Sequence, residues 1–115
     1  MDDKNTLRPW GNFLILAENT SYKVKRITIY PGKRISYQFH NKRSEIWTVV
    51  SGKGLVTLND IEKNLNYGDS IEIPAKSKHR IHNKSKENLV FIEVQTGKYF
   101  GEDDIVRLDD DYKRV

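Results

Sequence analysis

The chain contains no cysteine, which excludes disulfides, thiolate metal sites and cysteine nucleophiles together. Any metal must then be held by nitrogen and oxygen. There is no apolar run of the roughly 18 residues that a membrane helix needs. The N-terminus, Met1-Asp2-Asp3-Lys4-Asn5, carries acid where a secretory leader needs base. The expectation is a cytoplasmic protein with no membrane partner. No large excess of one charge is present either, because 20 Lys and Arg are interleaved with 16 Asp and Glu for a net charge of +4. Nucleic acid is therefore not expected as a partner, and a mildly basic pocket for a small anion accounts for the same charge. A core-sized hydrophobic fraction of 37% and a length of 115 residues fit one globular domain over residues 1–115.

What the chain does contain is alternation. Short runs of alternating apolar and polar residues are separated by Gly, Pro, Asn and Asp, and no helical period is evident before the C-terminal stretch. Strands are expected at Phe13 to Glu18, Tyr22 to Tyr30, Ile35 to His40, Glu45 to Ser51, Gly54 to Leu58, Ser70 to Pro74, His79 to Asn83 and Leu89 to Gly97. Pro31-Gly32, Ser51-Gly52-Lys53-Gly54, Asn59-Asp60 and Tyr67-Gly68-Asp69 supply the reversals. This is the pattern of an all-β jelly roll or small barrel. Gly101-Glu102-Asp103-Asp104 reads as the first turn of a short C-terminal helix, with Ile105, Val106 and Leu108 to pack it.

Strand parity sorts the polar residues, since alternate side chains of a strand face the same side and a barrel has only an inside and an outside. Over Ile35 to His40 the polar set is Ser36, Gln38 and His40, and the apolar set Ile35, Tyr37 and Phe39 faces the other way. A barrel that binds something polar turns the first set inward. The second set then needs a cover from another segment or a second subunit, so a homodimer is expected. Glu45 shares its face with Trp47 and Val49, and Ile46 lies opposite. His79, Ile81 and Asn83 share one face, with Arg80 and His82 on the other.

The spacing is informative in two places. One string runs Gly32, five residues, Gln38, one residue, His40, four residues, Glu45, six residues, Gly52; the second runs Gly68, five residues, Pro74, four residues, His79, three residues, Asn83. These strings resemble the two motifs of the cupin superfamily, whose barrel holds a divalent metal on three histidines and a glutamate. Gln38 stands here for the first histidine, and Lys76 for the second motif's glycine. A tighter resemblance is carried by Arg8-Pro9-Trp10-Gly11, by Tyr22 to Ile27, by Gly101 to Arg107, and by Gln38 followed by His40, Arg43, Glu45 and Trp47. These look like the C-terminal isomerase domain of type II phosphomannose isomerases.

That resemblance implies a cupin (jelly-roll, RmlC-like) barrel and one divalent ion among zinc, manganese, iron, cobalt and nickel, with Gln38, His40, Glu45 and His79 as its ligands. It also implies a phosphorylated-sugar substrate and interconversion of mannose 6-phosphate with fructose 6-phosphate. Arg43, Arg80 and Lys25 are the candidate substrate-binding cations, since guanidinium matches phosphate oxygens at two points. The catalytic base is not assigned, and Glu93 is a weak candidate. Rival readings are another cupin enzyme, a dioxygenase or epimerase, and a non-catalytic sugar-binding module. Most members of that family carry a nucleotidyltransferase domain, for which this sequence has no room, so guanylyltransferase activity is not expected. Ile46 replaces a histidine usual after the glutamate, but it lies on the opposite face from Glu45.

Overall fold

A computed structural model describes residues 6–114. The strands are β1 (Leu7–Arg8), β2 (Gly11–Glu18), β3 (Tyr22–Ile29), β4 (Tyr37–Phe39), β5 (Arg43–Ser51), β6 (Gly54–Leu58), β7 (Ile61–Leu65), β8 (Ser70–Ile73), β9 (His79–His82), β10 (Leu89–Gly97) and β11 (Val106–Asp109). Every pairing is antiparallel. One sheet has the order β1-β2-β3-β10-β5-β8 and the other β11-β4-β9-β6-β7. Among the described residues no helix is long and apolar enough to cross a membrane.

The alternation seen in the sequence becomes burial. β5 and β10 alternate strictly between buried and more exposed residues over most of their length. Their inward residues Trp47, Val49, Leu89 and Phe91 meet Val56, Ile81 and Leu65 of the facing sheet in one core. The turn residues fit their conformations. Gly52 has φ 79° in the β5–β6 hairpin, and a Cβ there would lie 2.6 Å from the carbonyl oxygen of Asn88. Asn59 and Asp60 both adopt positive φ, 48° and 71°, which sets the tight β6–β7 hairpin. Lys76, at the position where the superfamily motif has glycine, takes the left-handed conformation at φ 70° without one.

Three sequence expectations are corrected. The C-terminal stretch is not a helix. Its acids are drawn to tertiary partners: Glu102 receives the Lys25 ammonium at 2.7 Å, and Asp104 accepts the backbone N–H groups of Asn41 and Lys42 at 3.0 and 2.9 Å. The chain then continues as β11 along β4. Ile35 does not face outward with Tyr37 and Phe39. It precedes β4, so strand parity does not govern it, and it is buried in the core. The edge strand β7 escaped the pattern because four of its five residues are exposed, leaving no buried face to mark it.

Candidate metal centre

The lining of the barrel is set by pairing register. Arg107 of β11 pairs with Gln38 of β4, and Gln38 pairs with His79 of β9. Side chains that are direct cross-strand partners project to the same face, so Arg107, Gln38 and His79 form one row on the inner side of the smaller sheet. From the opposite sheet, Glu93 pairs with both Trp47 and Lys25, and Gln95 pairs with Glu45. His40 enters from the loop after β4.

Donor atoms of His40, Glu45 and His79 lie within 4.8 Å of one another, and all three residues are buried. Both imidazoles are oriented by backbone carbonyls: His40 Nδ1 meets Asp104 O at 2.7 Å and His79 Nδ1 meets Ser77 O at 2.9 Å. A carbonyl only accepts, so each Nδ1 carries the proton and each Nε2 turns a lone pair inward. Burial holds both histidines below the usual imidazole range, His40 at about 4. His40 Nε2 is 3.4 Å from Glu45 Oε2. With the ring neutral, that approach is not an ion pair. His79 Nε2 is buried with no hydrogen-bond partner. A lone pair left this way is costly in a protein interior unless a ligand takes it.

The carboxylate is arranged just as tightly. Arg43 Nε donates to Glu45 Oε2 at 2.8 Å, and Trp47 Nε1 donates to Glu45 Oε1 at 2.9 Å and to Glu93 Oε1 at 3.0 Å. Burial raises the Glu45 pKa, but the Arg43 charge leads in outweighing it and the carboxyl is held at about 2. Glu93 goes the other way. Burial and the Glu45 charge push it up to about 8, against the pull of Lys25 and Arg43. The two acids are thus pushed apart, Glu45 toward the charged form and Glu93 toward the protonated one. This splitting is what two neighbouring acids in a dry site undergo.

Gln38 lines the same cavity. Its Oε1 accepts the Ser36 hydroxyl and its Nε2 lies 3.4 Å from His40 Nε2. Binding a cation through the amide oxygen needs that amide turned over, which the Ser36 hydroxyl permits because it can accept as well as donate. The row of donors is thus nitrogen, nitrogen and oxygen, with an amide beside it. That set fits a divalent transition metal.

The candidate substrate cations separate. Arg43 and Lys25 line the cavity. Arg80 does not. Its guanidinium donates to Ile35 O at 3.1 Å and to Asp109 Oδ2 at 3.0 Å on the outer face, as expected for the residue after an inward-facing His79. Ile46 is likewise on the outside, 44% exposed, beside a Glu45 that is 2% exposed. The sequence reading missed Arg107, Arg114 and Glu102, all of which line the cavity. The helix expectation hid them; read as a strand, the same stretch puts Arg107 opposite Val106 and Leu108. Trp47, on the Glu45 face, also contributes: its indole N–H bridges the two carboxyls.

The architecture and the inward-facing His/Glu/His group define a cupin, a double-stranded β-helix barrel. Residues 2–110 match the family model described as "Mannose-6-phosphate isomerase C-terminal", and the chain belongs to that family. It is 43% identical over 112 residues to mannose-1-phosphate guanylyltransferase ManC of Salmonella typhimurium, covering 97% of this chain and 23% of that protein. It is 47% identical over 108 residues to the alginate biosynthesis protein AlgA of Pseudomonas aeruginosa, covering 94% and 22%. The chain thus spans under a quarter of the length of these relatives.

Among solved structures, a conserved protein with a double-stranded beta-helix domain from Klebsiella pneumoniae superposes with a TM-score of 0.76 at 22% identity, covering 93% of this chain and 94% of that one. The capsular polysaccharide assembling protein CapF of Staphylococcus aureus gives 0.79 at 24% identity, covering 90% and 33%. At such identities these establish the fold alone.

The relatives correct the expected reaction. Interconversion of mannose 6-phosphate and fructose 6-phosphate is not what their names state: several are mannose-1-phosphate guanylyltransferases, and the matched unit is named as a C-terminal portion. They are enzymes of mannose metabolism, of which this chain matches one part.

Proposed function

We propose that the barrel interior is a divalent-metal centre that binds a phosphorylated sugar of mannose metabolism. Gln38, His40, Glu45 and His79 hold the ion. One observation carries this reading: two neutral imidazoles and a charged carboxylate converge within 4.8 Å, with His79 Nε2 buried and unpartnered. Ligands already deprotonated at neutral pH bind a cation without displacing protons. Zinc, manganese, iron, cobalt and nickel all suit the set. When bound, such an ion polarises sugar oxygens as a Lewis acid.

The protein's own groups complete the site. Arg43 and Lys25 are each paired with a carboxylate, but with Arg8, Arg107 and Arg114 in the same lining the wall carries more basic than acidic groups, which suits an anionic sugar. Glu93, which lines the cavity and is pushed toward the protonated form, can give or take one proton at a bound sugar. We take residues 1–115 as a single cupin domain of a cytoplasmic homodimer. The dimer reading rests on the outer face of the larger sheet, where Ile46 and Val50 are 44% and 41% exposed and Ile46 lies beside Val94.

The test is calorimetric titration of metal-loaded and metal-stripped protein with mannose 6-phosphate, mannose 1-phosphate and mannose. The reading expects the phosphorylated sugars to bind only the loaded protein, and mannose to bind far more weakly. If neither phosphorylated sugar binds the loaded protein, the reading fails.

A further inference from the structure

Each cation nominated from sequence has an acidic partner, although Arg43 Nη1 is itself buried without a hydrogen-bond partner. Arg43 Nε is held by Glu45, Lys25 Nζ by Glu102 at 2.7 Å, and Arg80 by Asp109 outside the cavity. Two others face the cavity from the C-terminal segment. Arg107 stands in the inner row with Gln38 and His79, one strand beyond Gln38. Its Nε is buried with no hydrogen-bond partner. Arg114 lines the same cavity, clamped by Asp110 through Nε at 2.7 Å and Nη2 at 3.0 Å.

Burial and then the neighbouring Arg114 charge hold the Arg107 pKa below the usual guanidinium range, with Asp110 opposing. The protein thus keeps an under-compensated guanidinium and a second one in the lining of a cavity that also contains Gln38 and His40. Such a pair is stabilised by an anion that lies between them and accepts from both. Strand spacing of about 4.8 Å puts the Arg107 backbone roughly 10 Å from that of His79. That is a span for a sugar ring with its phosphate arm.

We propose that Arg107 and Arg114 form the seat for the substrate's phosphate, with the sugar extending from there to the metal group past Gln38. This rests on the phosphorylated-sugar reading above and assigns the residues that recognise the phosphate. Arg107 takes the anion directly, its Nε and a terminal nitrogen donating side by side. Asp110 aims Arg114. The C-terminal segment is then part of the binding site rather than a passive edge strand.

The experiment uses the full chain loaded with metal, and titrates it with mannose 6-phosphate and with inorganic phosphate. Arg107→Gln should weaken both by roughly tenfold or more, the scale of a lost charge-assisted hydrogen bond, with metal content unchanged. Lys63→Gln, the same charge loss on the exposed edge strand β7, should change neither. In the unmutated protein, the Nε–H resonance of Arg107 should shift saturably as inorganic phosphate is added, a readout that does not depend on how a variant folds. If the sugar phosphate binds the unmutated protein but Arg107→Gln binds equally well, or the Arg107 resonance stays still, the phosphate seat is wrong and the broader reading survives. If no phosphorylated ligand binds the unmutated protein, both fail.

Discussion

Arg43 donates to Glu45 across 2.8 Å inside the barrel, where the two side chains are 6% and 2% exposed. The pair explains how a carboxylate stays charged in a dry interior beside a second acid. It also makes a stability prediction. Removing one member of a buried pair leaves the other charge uncompensated, at a cost of roughly 3–5 kcal/mol. Arg43→Met should lower unfolding stability by that order in denaturant melts of the metal-free protein. Adding Glu45→Gln should recover a substantial part of the loss, and additive losses in the double variant would show that the two residues are not coupled.

Lys76 occupies a left-handed turn at φ 70°, a conformation that costs a side-chain-bearing residue on the order of 1 kcal/mol relative to glycine. Its N–H donates to His40 O at 2.7 Å, a contact that glycine keeps. Lys76→Gly should therefore raise the melting temperature or leave it unchanged despite glycine's greater unfolded-state entropy. A clear drop would mean that the lysine side chain contributes more than its backbone strain removes.

Asp110 is the acid-sensitive group that can be isolated from the metal group. Its carboxylate accepts from Arg114 through Nε and Nη2 and from the backbone N–H groups of Arg114 and Tyr112. The Arg114 side-chain bond leads in holding its pKa down, at about 2, against an ordinary 3.8. A depressed acid contributes stability that is present above its unfolded pKa and lost as pH falls through the folded one. The Asp110 contribution should therefore vanish between about pH 4 and pH 2. Asp110→Asn should be less stable than the parent at pH 7 by on the order of 1–2 kcal/mol, and the two should converge at pH 2. A gap that persists at pH 2 would assign the loss to geometry rather than to the charge.

The legible part of the molecule was the part governed by period two. Alternation along β5 and β10 gave the two-faced strands, and motif spacing brought Gln38, His40, Glu45 and His79 toward one cavity. Parity had also put Arg80 opposite His79, and that argument outweighed the family likeness that made it a substrate cation. What could not be read has physical causes. Ile35 precedes its strand, so parity did not apply. β7 has almost no buried face. The acids of residues 102–104 looked like a helix start because their partners, Lys25 and the N–H groups of Asn41 and Lys42, are distant in sequence. That misreading also concealed Arg107, whose inward direction exists only if the segment is a strand. The splitting of Glu45 and Glu93 depends on their common burial and on the Arg43 charge beside Glu45, which no spacing reveals.

Metal content per chain, measured by elemental analysis on the parent and on His79→Ala after equal exposure to a divalent metal and dialysis, tests the central claim most directly. The account predicts one ion per chain in the parent and a large loss in His79→Ala, with a lower metal-dependent melting temperature in the variant. An unchanged stoichiometry in His79→Ala, or a parent that retains no divalent ion, would contradict it.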